Sequence, residues 1–173
     1  MPVRSILRLG NPLLREHSAA VTDFGAPTLR ALVEDLRDTL YDFRARSGFG
    51  RGIAAPQLGV SLQAVYLDTG SPLVLLNPVI TRRSRATMTL WDDCFSFPDL
   101  KVKVKRNVRV AVRYRNLQGE EICLSADGSL AELLQHEIDH LNGILAVDRA
   151  IDSRHIVYRT EIGHGLSPHG VAL

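Results

Sequence analysis

The five residues His136-Glu137-Ile138-Asp139-His140 constrain the chain more than any other feature. The pattern H-E-x-x-H is useful only on a helix, where residues four apart share a face and both imidazoles can reach one metal ion. The glutamate between them then stands beside the open coordination position, where it can act as a general base. The flanking residues supply that helix. Leu130, Leu133, Leu134 and Leu141 recur at helical spacing, Ser129 with Glu132 three residues on makes a capping-box pattern, and Gly143 offers a stop. Two histidines adjacent by accident are the alternative. With six histidines in 173 residues, independent placement seldom produces the pattern, so the metal site is preferred.

Two histidines fall short of the three protein ligands that a catalytic centre usually takes. His17, His155, His164 and His169 remain, the last three in a tail without clear periodicity. Cys94 is the stronger candidate, because Trp91-Asp92-Asp93-Cys94-Phe95-Ser96-Phe97-Pro98 sets it between a strand and a proline-limited loop. A buried thiol is the other reading of Cys94, and it is the one preferred for Cys123 within its strand.

The rest of the chain supplies a frame of strands and one more helix. Leu29, Leu32, Val33, Leu36, Leu40 and Phe43 make an amphipathic helix between Pro27 and Ser47-Gly48. Runs at Leu62–Leu67, Leu73–Ile80 and Ala86–Trp91 read as strands. Lys101-Val102-Lys103-Val104-Lys105 and the Val108, Val110, Val112 series alternate with period two, so they read as half-buried strands. Asn116-Leu117-Gln118-Gly119 reads as a hairpin turn before a returning strand, Glu121 to Leu124. The fold class is α+β. No repeat or low-complexity tract divides residues 1–173, which read as one domain with a loosely ordered tail from 152 to 173.

Composition excludes several function classes. Hydrophobic residues make up 45% and charged residues 23%, so the chain can bury a core and is neither disordered nor fibrous. No apolar run approaches the ~20 residues that span a bilayer, and Met1-Pro2-Val3-Arg4 begins no signal peptide, so a cytoplasmic protein without a membrane partner is expected. A net charge of +2 is too small to imply a nucleic-acid partner. Lys101, Lys103, Lys105, Arg106, Arg109, Arg113 and Arg115 lie in one stretch, but no aromatic platform is interleaved with them. No specific nucleic acid is expected.

The passage Gly50-Arg51-Gly52-Ile53-Ala54-Ala55-Pro56-Gln57 fits neither a dinucleotide fingerprint nor a phosphate loop. Taken with Cys94 and H-E-x-x-H, it resembles the peptide deformylase family, whose motifs run in this order as G-x-G-x-A-A-x-Q, E-G-C-x-S and H-E-x-D-H. Arg8-Leu9-Gly10-Asn11-Pro12 is similar to the family's opening segment, Asn77-Pro78 to the strand end before its second motif, and His140-Leu141-Asn142-Gly143 to the family's continuation after its third motif.

The resemblance implies antiparallel sheets packed around a central helix that carries H-E-x-x-H. It also implies a hydrolase that removes the N-formyl group from N-formylmethionyl peptides, releasing formate. Cys94, His136 and His140 would hold one divalent metal ion per chain, commonly Fe(II) and replaceable by zinc, nickel or cobalt. Glu137 would take a proton from the attacking water, and Gln57 with the backbone N–H of Phe95 would stabilise the oxyanion. Asp139 would orient the site through an ion pair with Arg106. Gly50, Arg51, Gly52 and Asp93 would line the peptide groove. N-formylated nascent peptides would be the partners, with a transient contact at the ribosome.

The chain departs from the family at Asp92-Asp93, where Glu-Gly is usual, and at Arg51, where an apolar residue is usual. These changes are expected at the rim of the groove. An alternative is therefore a deformylase-like amide hydrolase with altered acyl or peptide specificity. Asp93 is expected to keep the loop's shape by tolerating positive φ, and to set a free carboxylate beside the groove that favours basic peptides. From Asp152 onward the chain lacks the long basic helix with which many bacterial deformylases end.

Overall fold

The computed structural model describes residues 3–162; the remainder of the tail, including His164 and His169, lies outside the described residues. Two helices and two antiparallel sheets make up the fold. Helix α1 (Pro27–Ser47) starts with proline in its first turn and ends at Gly48. Its apolar stripe, from Leu29 to Phe43, packs on a cluster that includes Ile53, Ala64, Tyr66 and Phe95. Strands β1 (Gly52–Ala54), β2 (Ala64–Asp68), β3 (Pro72–Arg83), β6 (Arg109–Arg115) and β7 (Glu121–Asp127) form the larger sheet, in the order β1-β2-β3-β6-β7. Strands β4 (Thr87–Asp92), β5 (Leu100–Asn107) and β8 (Ile156–Tyr158) form the smaller, in the order β4-β5-β8. Both sheets thus end on an unpaired edge strand at one side, β1 in one and β4 in the other.

Helix α2 (Gly128–Leu141) leaves β7 without an intervening loop. From Ala131 to Leu141 every residue is buried, so α2 is a central helix with no solvent face over that length. Its apolar residues Leu133, Leu134, Ile138 and Leu141 join Val65, Leu75, Val110 and Val112 of the large sheet. The polar residues His136, Glu137, Asp139 and His140 are buried with them. Burial of so many polar groups costs free energy unless each is matched, and that requirement shapes the site.

Several expectations are corrected. Ser129 and Glu132 form no capping box: Asp127 is the N-cap residue, without a side-chain cap, and Glu132 binds Arg51 instead. The buried carboxylate gains more from a guanidinium than from a backbone N–H. Cys123 is exposed, because in β7 it is Ile122, Leu124 and Ala126 that pack toward the core or bury fully, which sets Cys123 on the outward face. Asn77-Pro78 is not a strand end. It lies inside β3 at a break in the register with β6, where Asn77 takes φ 51° and its amide both accepts from Val21 N–H and donates to Val21 C=O, each at 2.8 Å. Residues 153–161 of the tail are ordered, with β8 paired to β5 through Lys101↔Val157.

The alternation in β5 places Arg106 on the same inward face as Val102 and Val104, where it is 4% exposed. The opening segment sews two motifs together. Leu7 N–H donates to Gln57 C=O (2.8 Å) and Leu9 N–H to Ser96 C=O (2.9 Å).

Candidate active site

A cavity of about 580 Å³ lies where the two sheet edges and α2 meet. Its lining includes Gly50, Arg51 and Gly52 beside β1, Leu90 to Phe95 along and after β4, and Glu132, Leu133, His136 and Glu137 of α2. Helical spacing puts both histidines of α2 on one face, with their Nε2 atoms 3.2 Å apart. Cys94 follows β4, and its Sγ lies 3.3 Å from His140 Nε2. The three ligand atoms lie within 4.8 Å of one another, and all three residues are buried.

This donor set fits a metal ion. Bonds of ~2.0–2.3 Å in a tetrahedron set ligand atoms ~3.3–3.6 Å apart, close to the spacings found. A thiolate with two imidazoles suits a borderline-soft divalent ion. Glu137 Oε2 is buried without a hydrogen-bond partner among the described residues, a costly arrangement unless the site receives something that binds it.

Three acidic groups complete the centre. Asp92 is buried and accepts from His136 Nδ1 at 3.0 Å and from Arg106 at 3.1 Å. Burial works against its charge, but His136 and Arg106 outweigh it and hold the carboxyl at about 2. Burial likewise disfavours an imidazolium at His136, and the Asp92 carboxylate overcomes it, raising that pKa well above its ordinary value. With an ion bound the ring would be neutral, its Nδ1 proton held by Asp92 and its Nε2 free for the centre. Burial pushes Glu137 up to about 7 and His140 well down, the latter helped by the positive His136. Asp139 is bound by Arg106 and, at 2.7 Å, by Arg149, so Arg106 joins two carboxylates.

The two glycines are fixed by close contact. A Cβ on Gly52 would stand 2.6 Å from Glu137 Oε1, and one on Gly50, at φ 128°, would stand 2.4 Å from the Phe95 ring. Gln57 is held in one orientation: its Oε1 accepts from Ala54 N–H at 2.9 Å, so its Nε2 faces Cys94 Sγ (3.5 Å) and Ser96 Oγ (3.3 Å). The Phe95 ring stacks on Phe43 with centroids 3.8 Å apart. No acceptor among the described residues takes the Phe95 N–H.

The rim differs from expectation at two residues. Asp92 is not at the rim but behind His136. Asp93 carries no free carboxylate, since Lys101 and Arg159 both bind it, the latter at 3.2 Å, and it does not adopt positive φ. Arg159 also lies over the Phe49 ring, 3.9 Å from its centroid, and so joins the tail to both walls. Lys101 and Arg159 thus pair the carboxylate that was expected to stand free beside the groove. Glu132, Arg149, Lys101 and Arg159 were missed as site residues, and Asp92 was expected at the rim rather than behind His136.

A buried thiol, two helical imidazoles and an adjoining buried carboxylate at the head of a groove define a metal-dependent hydrolase. The polypeptide deformylase family model matches residues 3–155, and the chain belongs to the peptide deformylase family. It is 36% identical over 154 residues to a peptide deformylase of Thermotoga neapolitana, covering 88% of this chain and 90% of that one. It is 40% identical over 153 residues to one of Desulfitobacterium hafniense, covering 87% and 96%. Among solved structures, the Thermotoga maritima peptide deformylase superposes with a TM-score of 0.82 at 33% identity, over 88% of this chain and all of that one. The Synechococcus elongatus enzyme, solved with actinonin, gives 0.81 at 34% identity, over 96% and 85%. The chain is accordingly a metal-dependent enzyme that removes the formyl group from N-formylmethionyl peptides. No helix among the described residues is long and apolar enough to cross a membrane.

Proposed function

We propose that Cys94, His136 and His140 hold one divalent ion, Fe(II) foremost with zinc, nickel or cobalt as substitutes, and that Glu137 and Gln57 carry the proton transfer and the charge stabilisation. The observation that carries this reading is the fixed set around one point: three ligand atoms within 4.8 Å, with Glu137 and Gln57 beside them. When bound there, the ion would supply Lewis-acid polarisation of the formyl oxygen and would acidify water. Glu137 takes the proton of the attacking water and passes it to the departing nitrogen. The water oxygen bonds to the formyl carbon, the C–N bond breaks, and formate and a free α-amine leave. Burial of Glu137 supports this role, because a raised pKa makes the carboxyl both an acceptor and a donor near neutrality. Gln57 Nε2 and the Phe95 N–H donate to the formyl oxygen as it gains charge.

The backbones of Gly50 to Gly52 and of β4 both border the cavity, at the edge of one sheet each, and an extended peptide pairs between them as an added strand. Arg51 and Asp93 flank that strand. Asp139 with Arg106 fixes the far side of α2. Formylated nascent peptides met at the ribosome in the cytoplasm are the substrates this reading implies.

The test is formate release from a formyl-Met peptide by anaerobically purified, metal-assayed protein. Stoichiometric formate supports the reading, and none from fully loaded protein sinks it. A second expected outcome concerns Asp92. Asp92→Asn removes the charge behind His136 and should weaken metal retention ~10–100-fold, read by titration with a graded chelator. Unchanged retention would free Asp92 of that role.

A further inference from the structure

The tail reaches the site through one residue. Strand β8 pairs Tyr158 with Leu100, the first residue of β5, and so sets Arg159 beside the connection from β4 to β5, residues 93–99. Arg159 holds that connection at both ends. Its guanidinium binds the Asp93 carboxylate at 3.2 Å, its Nε donates to Pro98 C=O at 3.0 Å, and its backbone N–H donates to Asp99 C=O at 2.6 Å. The guanidinium also lies over the ring of Phe49, which meets the Phe95 ring edge-on with centroids 6.2 Å apart.

The connection carries three working groups: the Cys94 sulfur, the Phe95 N–H and the Ser96 hydroxyl that meets Gln57. Within it, Phe97 N–H donates to Cys94 C=O at 3.1 Å and Leu100 N–H to Phe97 C=O at 3.0 Å. Asp93 stands ahead of these bonds and is tied down by its side chain, to Lys101 and to Arg159. Partly exposed ion pairs add little to stability, because water screens them. What a guanidinium does well is fix a position, since its donors form a rigid fork, and here two of them meet opposite ends of one loop. A glycine at position 93 would give that fork no carboxylate to hold.

Resting on the roles given above to Cys94 and the Phe95 N–H, we propose that Arg159 is a positioning residue for deformylation: its grip on Asp93 and Pro98 sets the Cys94 sulfur and the Phe95 N–H about the reacting carbon. The aspartate that replaces the family's usual glycine is then the handle by which the tail enters the active site. Misplacing either group by a fraction of its bond length lowers the rate and leaves peptide binding alone.

The experiment uses the whole chain as wild type, Arg159→Ala, Arg159→Lys and, as a control, Arg154→Ala, an exposed tail residue paired with Asp152. Each protein is loaded with cobalt. The readouts are kcat and KM for formate release from a formyl-Met tripeptide, the thiolate-to-cobalt absorption at full occupancy, and the melting curve. Arg159→Ala should lose ~10–100-fold in kcat with KM little changed, and its thiolate-to-cobalt absorption should shift. Its backbone bond to Asp99 remains, so the tail stays paired. Arg159→Lys keeps a charge for Asp93 but cannot also meet Pro98, so it should recover only part of the loss. Arg154→Ala should match the wild type; an equal loss there overturns the proposal, because any change in the tail would then suffice. An unchanged kcat, a loss confined to KM, or an unchanged cobalt spectrum in Arg159→Ala also overturns it. If that variant fails to fold, Arg159→Lys decides: wild-type kcat and spectrum overturn the proposal, and a reduced kcat with a shifted spectrum upholds it. Absence of formate from the wild type overturns the deformylase reading instead.

Discussion

Cys94→Ala and His136→Ala proteins are expected to purify nearly free of metal, whereas Glu137→Ala keeps about one ion per chain and loses ~10²–10⁴-fold in kcat. The contrast follows from position. Cys94 Sγ and the two Nε2 atoms crowd one point at 3.2 and 3.3 Å, so removing any of them leaves an ion with two protein ligands. Glu137 lines the same cavity, but its carboxylate lies against Gly52, with one oxygen unpartnered. Its loss removes a proton carrier and leaves the three ligand atoms in place. Metal analysis beside single-turnover kinetics separates the two effects. Equal metal loss in all three variants would mean that Glu137 is a ligand and that the proton moves by another route.

Gln57→Ala should lower kcat by ~10²–10³-fold while KM changes little, because a donor aimed at developing charge acts mainly in the transition state. The wild-type geometry makes this a sharp test. Ala54 N–H locks the amide with Nε2 toward Cys94, so the donor is in place before substrate arrives and needs no reorganisation. Nothing else among the described residues offers a side-chain amide at that point. A pure KM effect would place Gln57 among the groove walls.

Legibility of the fold and site followed the physics of each signal. The two-helix, strand-rich frame could be read directly, since α1 carries an unbroken apolar stripe and β5 alternates without fault until Arg106. That last residue keeps the inward phase of Val102 and Val104, so its burial was implicit in the alternation. The outward face of Cys123 was implicit in the same way. The capping box failed because a local pattern met a tertiary competitor: Arg51, far away in sequence, claims both Ser129 and Glu132. The roles of Asp92 and Arg149 depend on chain segments brought together by strand pairing and by the turn after α2, and no spacing in the sequence carries that. Gln57 and the Phe95 N–H were reached only through family resemblance, since a glutamine in a glycine-rich passage has no chemistry of its own.

The two sheets stop at the same cavity, each on an edge whose backbone groups have no strand beside them. Such a molecule presents two open strand edges to one cavity, and a bound extended chain would bridge them. Amide protons of β1 and β4 that point away from β2 and β5 should therefore exchange more slowly with deuterium when a backbone-mimicking inhibitor is present, while those of β3 and β6 stay protected throughout. A substrate bound in this way would complete both sheets at once, so the open backbone groups of the two edges would find partners only while a peptide occupies the cavity.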